Sequence, residues 1–215
     1  MKNNIKISII YDNTALDENL ISDWGFSCLI EGFGKTILFD TGAKENILFA
    51  NMKKMDIDPL MVDVIFISHN HWDHTGGLSS FLSTNNVPVF APAEFMTSSR
   101  NINLITCGTR QQICENIWST GTLSGIEQSL LIKQEDRVTV IAGCSHPGID
   151  EIFTAGRQLG HISALIGGLH GFKNFDLLKN IDLICPTHCT QYIDEIKSIY
   201  PDKYIKGGAG RIITI

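Results

Sequence analysis

Ile65-Phe66-Ile67-Ser68-His69-Asn70-His71-Trp72-Asp73-His74-Thr75-Gly76-Gly77 is the stretch on which the fold turns. An apolar strand-like run ends abruptly in three histidines and an aspartate, and two glycines follow. Imidazole is the commonest metal ligand, and a carboxylate extends the set to hard or borderline cations. Four such groups on one turn need a partner that offsets their desolvation. A metal, or a pair of metals, is the simplest such partner. His69 and His71 are two apart at an extended strand end, so they can point to one side. Asp73 and His74 come after the chain turns and face a neighbouring position.

Each pair needs completing from elsewhere. Of the seven histidines, His146, His170 and His188 also follow strand-like runs, whereas His161 follows a predicted helix and looks incidental. Chemistry gathers where strands end, because loops converge there on one sheet edge. His69, His71 and a third histidine make one three-ligand site with an open position. Asp73, His74 and a further histidine make a second. Two metals about 4 Å apart can share a hydroxide and clamp attacking and leaving oxygens.

The rest of the chain supplies the frame. Strands are expected at 5–10, 26–30, 36–39, 62–67 and 87–91, with Pro88 placing the last at a sheet edge. Helices are expected at 43–55, 77–83 and 92–100. Residues 102–121 hold short strands and a site rim. A second hairpin runs through 129–132 and 138–141. A helix follows at 149–159, strands at 163–166 and 181–185, helices at 175–180 and 194–200, and a closing strand at 211–215. The hairpin Ser27–Phe39 is echoed by Ser129–Ile141, and each leads to a candidate site residue, Asp40 or His146. The expectation is one domain, 1–215, of two similar β-rich halves packed face to face with helices outside.

Composition narrows the partners. The net charge of -6 argues against long nucleic acid as the main partner, while leaving room for a small, anionic substrate held by metals. No apolar run reaches membrane-spanning length, and residues 1–12 make a poor signal peptide, so a cytoplasmic protein is expected, with no membrane partner. Six scattered cysteines then read as reduced thiols. Cys144 and Cys189 are expected as small buried residues, Trp72 as a packing residue under the metal loop, and Gly207–Gly210 as a turn.

His69-Asn70-His71-Trp72-Asp73-His74 resembles the HxHxDH signature of the metallo-β-lactamase superfamily, and Phe39-Asp40-Thr41-Gly42 resembles its upstream aspartate motif. Thr120-Gly121, Glu127-Gln128-Ser129-Leu130, Gly143-Cys144-Ser145-His146-Pro147-Gly148-Ile149, Gly167-Gly168-Leu169-His170 and Pro186-Thr187-His188-Cys189 extend the likeness over nearly the whole chain. They point to the branch called dihydropteroate-synthase-like, or 7,8-dihydropterin-6-methyl-4-(β-D-ribofuranosyl)aminobenzene-5′-phosphate synthase-like. The resemblance implies an α/β fold, a four-layer αββα sandwich with the site at one edge of two sheets. It places His69, His71 and His146 on one metal, Asp73, His74 and His188 on the other, and Asp40 behind them as a hydrogen-bonding support. Two divalent ions are implied, zinc first, with manganese or iron acceptable to the same ligands.

Two departures stand out. Many superfamily members carry a bridging aspartate after the strand that here is 163–166; this chain has Gly167-Gly168 there, with His170 just beyond. Gln191 stands where the branch has glycine. The expected activity is hydrolysis by a metal-bound hydroxide of a small phosphodiester, ester or lactone, with Asp73 and His170 as catalytic groups. The alternatives are a pterin-transferring synthase and a non-catalytic metal-binding or redox-sensing module.

Overall fold

The computed structural model describes residues 4–97 and 102–215. Alternating apolar residues run through β1 (Lys6–Tyr11), β2 (Ser27–Gly32) and β3 (Lys35–Phe39), where β2 and β3 form the first expected hairpin. Helix α1 (Glu45–Lys54) carries the chain to β4 (Val64–Phe66), which pairs parallel to β3. The metal-type motif follows in α2 (Trp72–Thr75), then α3 (Leu78–Thr84), β5 (Val89–Pro92), β6 (Leu104–Cys107), β7 (Gln111–Cys114) and β8 (Ile117–Ser119). Strands β9 (Leu130–Gln134) and β10 (Arg137–Ala142) form the second hairpin. Helix α4 (Ile149–Arg157) leads to β11 (His161–Gly168), parallel to β10; β12 (Leu183–Thr187), α5 (Ile193–Ile199) and β13 (Ile212–Thr214) close the chain.

One sheet has the order β13-β1-β2-β3-β4-β5-β6 and the other β12-β11-β10-β9-β8-β7. Their facing sides share one apolar cluster, with Ile7, Ile30, Phe39 and Phe66 from the first meeting Leu130, Ile132, Ile141 and Ile166 from the second. Leu48, Met52 and Phe81 of α1 and α3 cover the outer face of the first sheet. Ile152, Phe153 and Ile196 of α4 and α5 cover the second. The layers are therefore helix, sheet, sheet, helix, as the resemblance implies. A hairpin, a helix and a parallel strand occur once in each sheet, in β2-β3-α1-β4 and in β9-β10-α4-β11. Parallel strands share a carboxyl edge, so β3 and β4 on one side and β10, β11 and β12 on the other end close together.

Three local expectations fail. Strand β5 lies between β4 and β6, not at an edge; Pro88 precedes its first residue, where no ladder N–H is lost. Residues 93–94 form a turn rather than the start of a helix, and 98–100 of that expected helix lie outside the described residues. Residues 175–178 make a single 3-10 turn instead of a helix to 180. Among the described residues no helix is long and apolar enough to cross a membrane.

Candidate metal centre

The site is built outward from one buried carboxylate. Asp40 leaves β3 with a left-handed backbone (φ 53°), which turns its side chain back under the motif. Oδ1 accepts the Ser68 backbone N–H at 2.7 Å. Oδ2 lies 2.7 Å from both the Ser68 hydroxyl, which donates to it, and Nδ1 of His74. With its proton given to Asp40, the Ser68 oxygen accepts from Nδ1 of His69 at 2.9 Å. Both imidazoles are thereby fixed in one tautomer, with Nε2 carrying a lone pair.

Those lone pairs point into a cluster of further ring nitrogens and a thiol. Nε2 of His69 lies 2.9 Å from Nδ1 of His71. Nε2 of His74 lies 3.2 Å from Nε2 of His188 and 3.3 Å from Sγ of Cys144. Asn13 Oδ1, 2.9 Å from Nδ1 of His188, fixes that ring the same way, and Asn13 Nδ2 donates to the His188 carbonyl. Oδ2 of Asp73 is 3.3 Å from Nε2 of His188. Nε2 of His146 is buried with no hydrogen-bond partner. Acceptor facing acceptor inside a protein is repulsive unless a cation sits between them. The donor set therefore fits divalent metal, with neutral imidazoles for soft or borderline ions and one carboxylate.

The protonation preferences agree. Burial first, then the neighbouring imidazoles of His74, His71 and His146, pushes His69 far below the ordinary imidazole value. Burial and then His188 do the same to His74. Burial, followed by His71 and His170, lowers His146. Burial opposes the charge on Asp73, but the neighbouring His188 and His74 rings outweigh it and hold its carboxyl below the usual range. Asp40 moves the other way, because full burial raises it despite the Ser68 donors. A divalent charge favours carboxylate and neutral imidazole together, the forms the imidazoles and Asp73 present, and a nearby cation would offset the burial that opposes the charge on Asp40.

All six residues expected as ligands come to one place. His69, His71, Asp73 and His74 arrive on the turn after β4, His146 after β10 and His188 after β12. Two groups of donor atoms lie within 4.8 Å of one another: His69, Cys144 and His146, and His74, Cys144 and His188. His71 and Asp73 adjoin these groups by the contacts given above. Asp40 sits behind His74. His170 is exposed, with a left-handed backbone (φ 46°), and its ring lies 5.2 Å from that of His146. His161 begins β11, at the opposite end from the site.

Other residues do work that sequence reading passed over. Glu127 is fully buried, and its two oxygens accept the backbone N–H groups of Gly143, Cys144, Ser145 and His146 at 2.9–3.1 Å. Asp12 Oδ1 accepts the His188 N–H at 2.8 Å. Trp24 Nε1–H donates to Asp73 Oδ2 at 2.7 Å, and its ring lies edge-on to His188. The 13–24 segment looks like a polar turn in sequence, and the one available signal was Trp24, an isolated aromatic within it. Trp72 does not pack under the loop as expected; it is 64% exposed at the start of α2. Gly76 allows the motif turn to lie against the Asp40–Ala43 turn, since a Cβ there would stand 2.0 Å from the Ala43 carbonyl oxygen.

The missing bridging aspartate has a steric reason. A Cβ on Gly168 would lie 2.4 Å from the Gly143 carbonyl oxygen and 2.7 Å from Sγ of Cys189. The β10 exit and a thiol already fill that space. Gln191 donates its backbone N–H to the His170 carbonyl at 3.0 Å, which ties the loop after β12 to the one after β11.

Two hollows flank the donor cluster. The larger, about 470 Å³, is lined by His146, His170, Phe172, Lys173 and Asn174, with Ile149 at the head of α4. The smaller, about 180 Å³, has His69 and His71 on one wall and Glu94 and Ile126 opposite.

Two facing sheets with outer helices, and imidazoles gathered at the ends of their parallel strands, define a protein of the metallo-β-lactamase fold. Residues 25–113 match the family model described as the Metallo-beta-lactamase superfamily. Over 98% of its length the chain is 28% identical to a 7,8-dihydropterin-6-methyl-4-(beta-D-ribofuranosyl)-aminobenzene-5′-phosphate synthase of Methanocaldococcus jannaschii, covering 96% of that protein. Its structure is similar to that of a metal-dependent hydrolase of the beta-lactamase superfamily, with TM-score 0.79, 22% identity and 98% and 99% of the two chains covered. A diphosphatase from the PhnP family is similar at TM-score 0.64 and 12% identity, over 99% of this chain and 97% of that one. At these identities the two structural likenesses speak to the fold.

Proposed function

We propose that this protein is a metal-dependent hydrolase with a binuclear site, zinc first among its metals, that cleaves a small anionic phosphodiester, ester or lactone. The observation that carries this reading is the convergence of imidazole lone pairs and the Asp73 carboxylate beside a cavity of about 470 Å³. That volume suits a metabolite-sized ligand rather than a polymer. His69, His71 and His146 would hold one ion, and Asp73, His74 and His188 the other. When bound, such ions supply Lewis acidity and a deprotonated water at neutral pH.

The chain's own groups divide the remaining work. Lys173 on the cavity wall, whose ammonium is further favoured by the Tyr192 side chain, attracts an anionic group. Asp73, held in place by the Trp24 indole N–H at Oδ2, would orient the attacking water by accepting a hydrogen bond from it. As that water's oxygen bonds to phosphorus or carbonyl carbon, the leaving oxygen departs and takes a proton from His170 at the cavity mouth. Six free cysteines, two of them adjacent and unpaired at the site, fit the reducing cytoplasm.

The likeness along nearly the full chain to a named pterin synthase favours a second reading, transfer to a pterin-containing substrate at the same centre. One experiment separates the readings. Protein purified without chelator is assayed for metal and then incubated with phosphodiester, lactone and dihydropterin substrates. About two divalent ions per chain are expected from the ligand count, with hydrolysis products from the first two classes and loss of turnover in His71→Ala and His188→Ala. A pterin adduct without hydrolysis would favour the synthase. Undiminished turnover by folded, metal-free protein would overturn both, and full metal loading without turnover on any substrate would leave a non-catalytic metal-binding module.

A further inference from the structure

Cys144 Sγ belongs to both donor groups. It lies within 4.8 Å of the ring nitrogens of His69 and His146, and within the same distance of those of His74 and His188. The contact with Nε2 of His74 is 3.3 Å. Its place is set by the backbone, because Glu127 Oε1 accepts the Cys144 N–H at 2.9 Å and the N–H groups on either side. The residue is 4% exposed, so this sulfur faces the cluster and not solvent.

No neighbouring carboxylate can take that central position. Both oxygens of Asp40 are occupied by Ser68 and His74. Those of Glu127 are occupied by four backbone N–H groups. Asp12 is committed to the His188 N–H and the Thr14 hydroxyl. Asp73 is committed to Trp24 and the His188 side of the cluster. Gly168 offers no side chain and no room for one. Two dications need anionic compensation between them, and a thiolate is an effective ligand for zinc-like ions.

The geometry points to Cys144 as a thiolate that bridges the two metal ions, in place of a carboxylate. The inference rests on the binuclear reading above and deepens it, since a sulfur bridge selects zinc, cobalt or iron over manganese or magnesium. Deprotonation balances simply: the Sγ–H bond breaks, the sulfur lone pairs bind the ions, and the proton passes to bulk water.

Stripped full-length protein titrated with Co²⁺ tests this, with bound equivalents measured beside near-ultraviolet thiolate-to-cobalt absorption. Two equivalents are expected, with the band growing across both, lost in Cys144→Ser and retained in Cys189→Ser. X-ray absorption of the wild-type zinc form should show a sulfur neighbour at about 2.3 Å, which decides the matter even if Cys144→Ser fails to fold. Two ions bound without sulfur ligation, or a band that survives Cys144→Ser, would overturn the thiolate and leave the binuclear site standing. A band complete at the first of two equivalents would make Cys144 a ligand to one ion and overturn the bridge. Fewer than two ions bound would overturn the binuclear reading and the bridge with it.

Discussion

Oδ2 of Asp40 lies 2.7 Å from Nδ1 of His74, with both side chains fully buried, while the Ser68 hydroxyl donates to the same oxygen. This contact fixes which His74 nitrogen is free. In Asp40→Asn the amide keeps the shape but loses the charge and one acceptor, so the His74 tautomer is no longer enforced. Metal affinity should fall about 10–100-fold, read by competition with a chromophoric chelator. Unchanged affinity would refute the supporting role of Asp40.

Glu127 holds the four-residue turn that presents Cys144 and His146. Removing its carboxylate in Glu127→Ala leaves four buried N–H groups without an acceptor. The expected loss is on the order of 3–5 kcal/mol of unfolding free energy, measured by denaturant titration of the metal-loaded protein. Glu127→Gln should cost less, because one oxygen still accepts. A loss under about 1 kcal/mol for the alanine variant, the size of an ordinary surface change, would show that the turn stands without it.

Gly168 has no room for added bulk. The new Cβ of Gly168→Ala meets the Gly143 carbonyl oxygen and the Cys189 sulfur at less than contact distance. Overpacking of this kind costs about 1–3 kcal/mol. Gly171→Ala, whose Cβ would come no nearer than 3.7 Å to any neighbour, is the control. Comparing the two melting temperatures checks the prediction, and equal values would refute it.

Tyr11 supplies a pH-dependent term. Its buried ring lies under the turn at Gly42, and burial, followed by the charge of Asp23, raises its hydroxyl from 10.0 to about 12. A folded value above the unfolded one favours the protonated native state. This contribution is therefore complete below pH 10 and is lost as pH rises from 10 to about 12. Tyr11→Phe should flatten that part of the stability curve relative to wild type, whereas curves of equal slope would contradict the assignment.

The histidine-rich motif, both hairpins and the place of His146 and His188 at strand ends were legible in sequence, because strand ends rich in histidine carry a strong local signal. Glu127 was visible only as part of a motif. Its role depends on four backbone N–H groups that converge after folding, which spacing does not encode. The Asp12-Asn13-Trp24 wall was missed for a similar reason: its partner His188 lies 176 residues from Asp12. Pro88 misled because a proline at the residue before a strand and a proline inside one look alike in a string. Cys144 read as a small buried residue, and it is one; only the positions of four histidines around it show that it can also be a ligand.

The pairing of Asp12 with His188, and of β1 with β13, has a consequence for how the protein folds. In chain order the histidines of the motif follow β4, whereas the His188 ring that joins them follows β12. Until these segments meet, β1 has an open edge and the motif imidazoles lack that partner. The long-range contacts that bring His188 to the cluster accompany those that close the first sheet, and such non-local contacts are slow to form. A chain cut before residue 188 would lack the His188 ring and the β13 partner of β1, leaving an exposed strand edge open to mispairing.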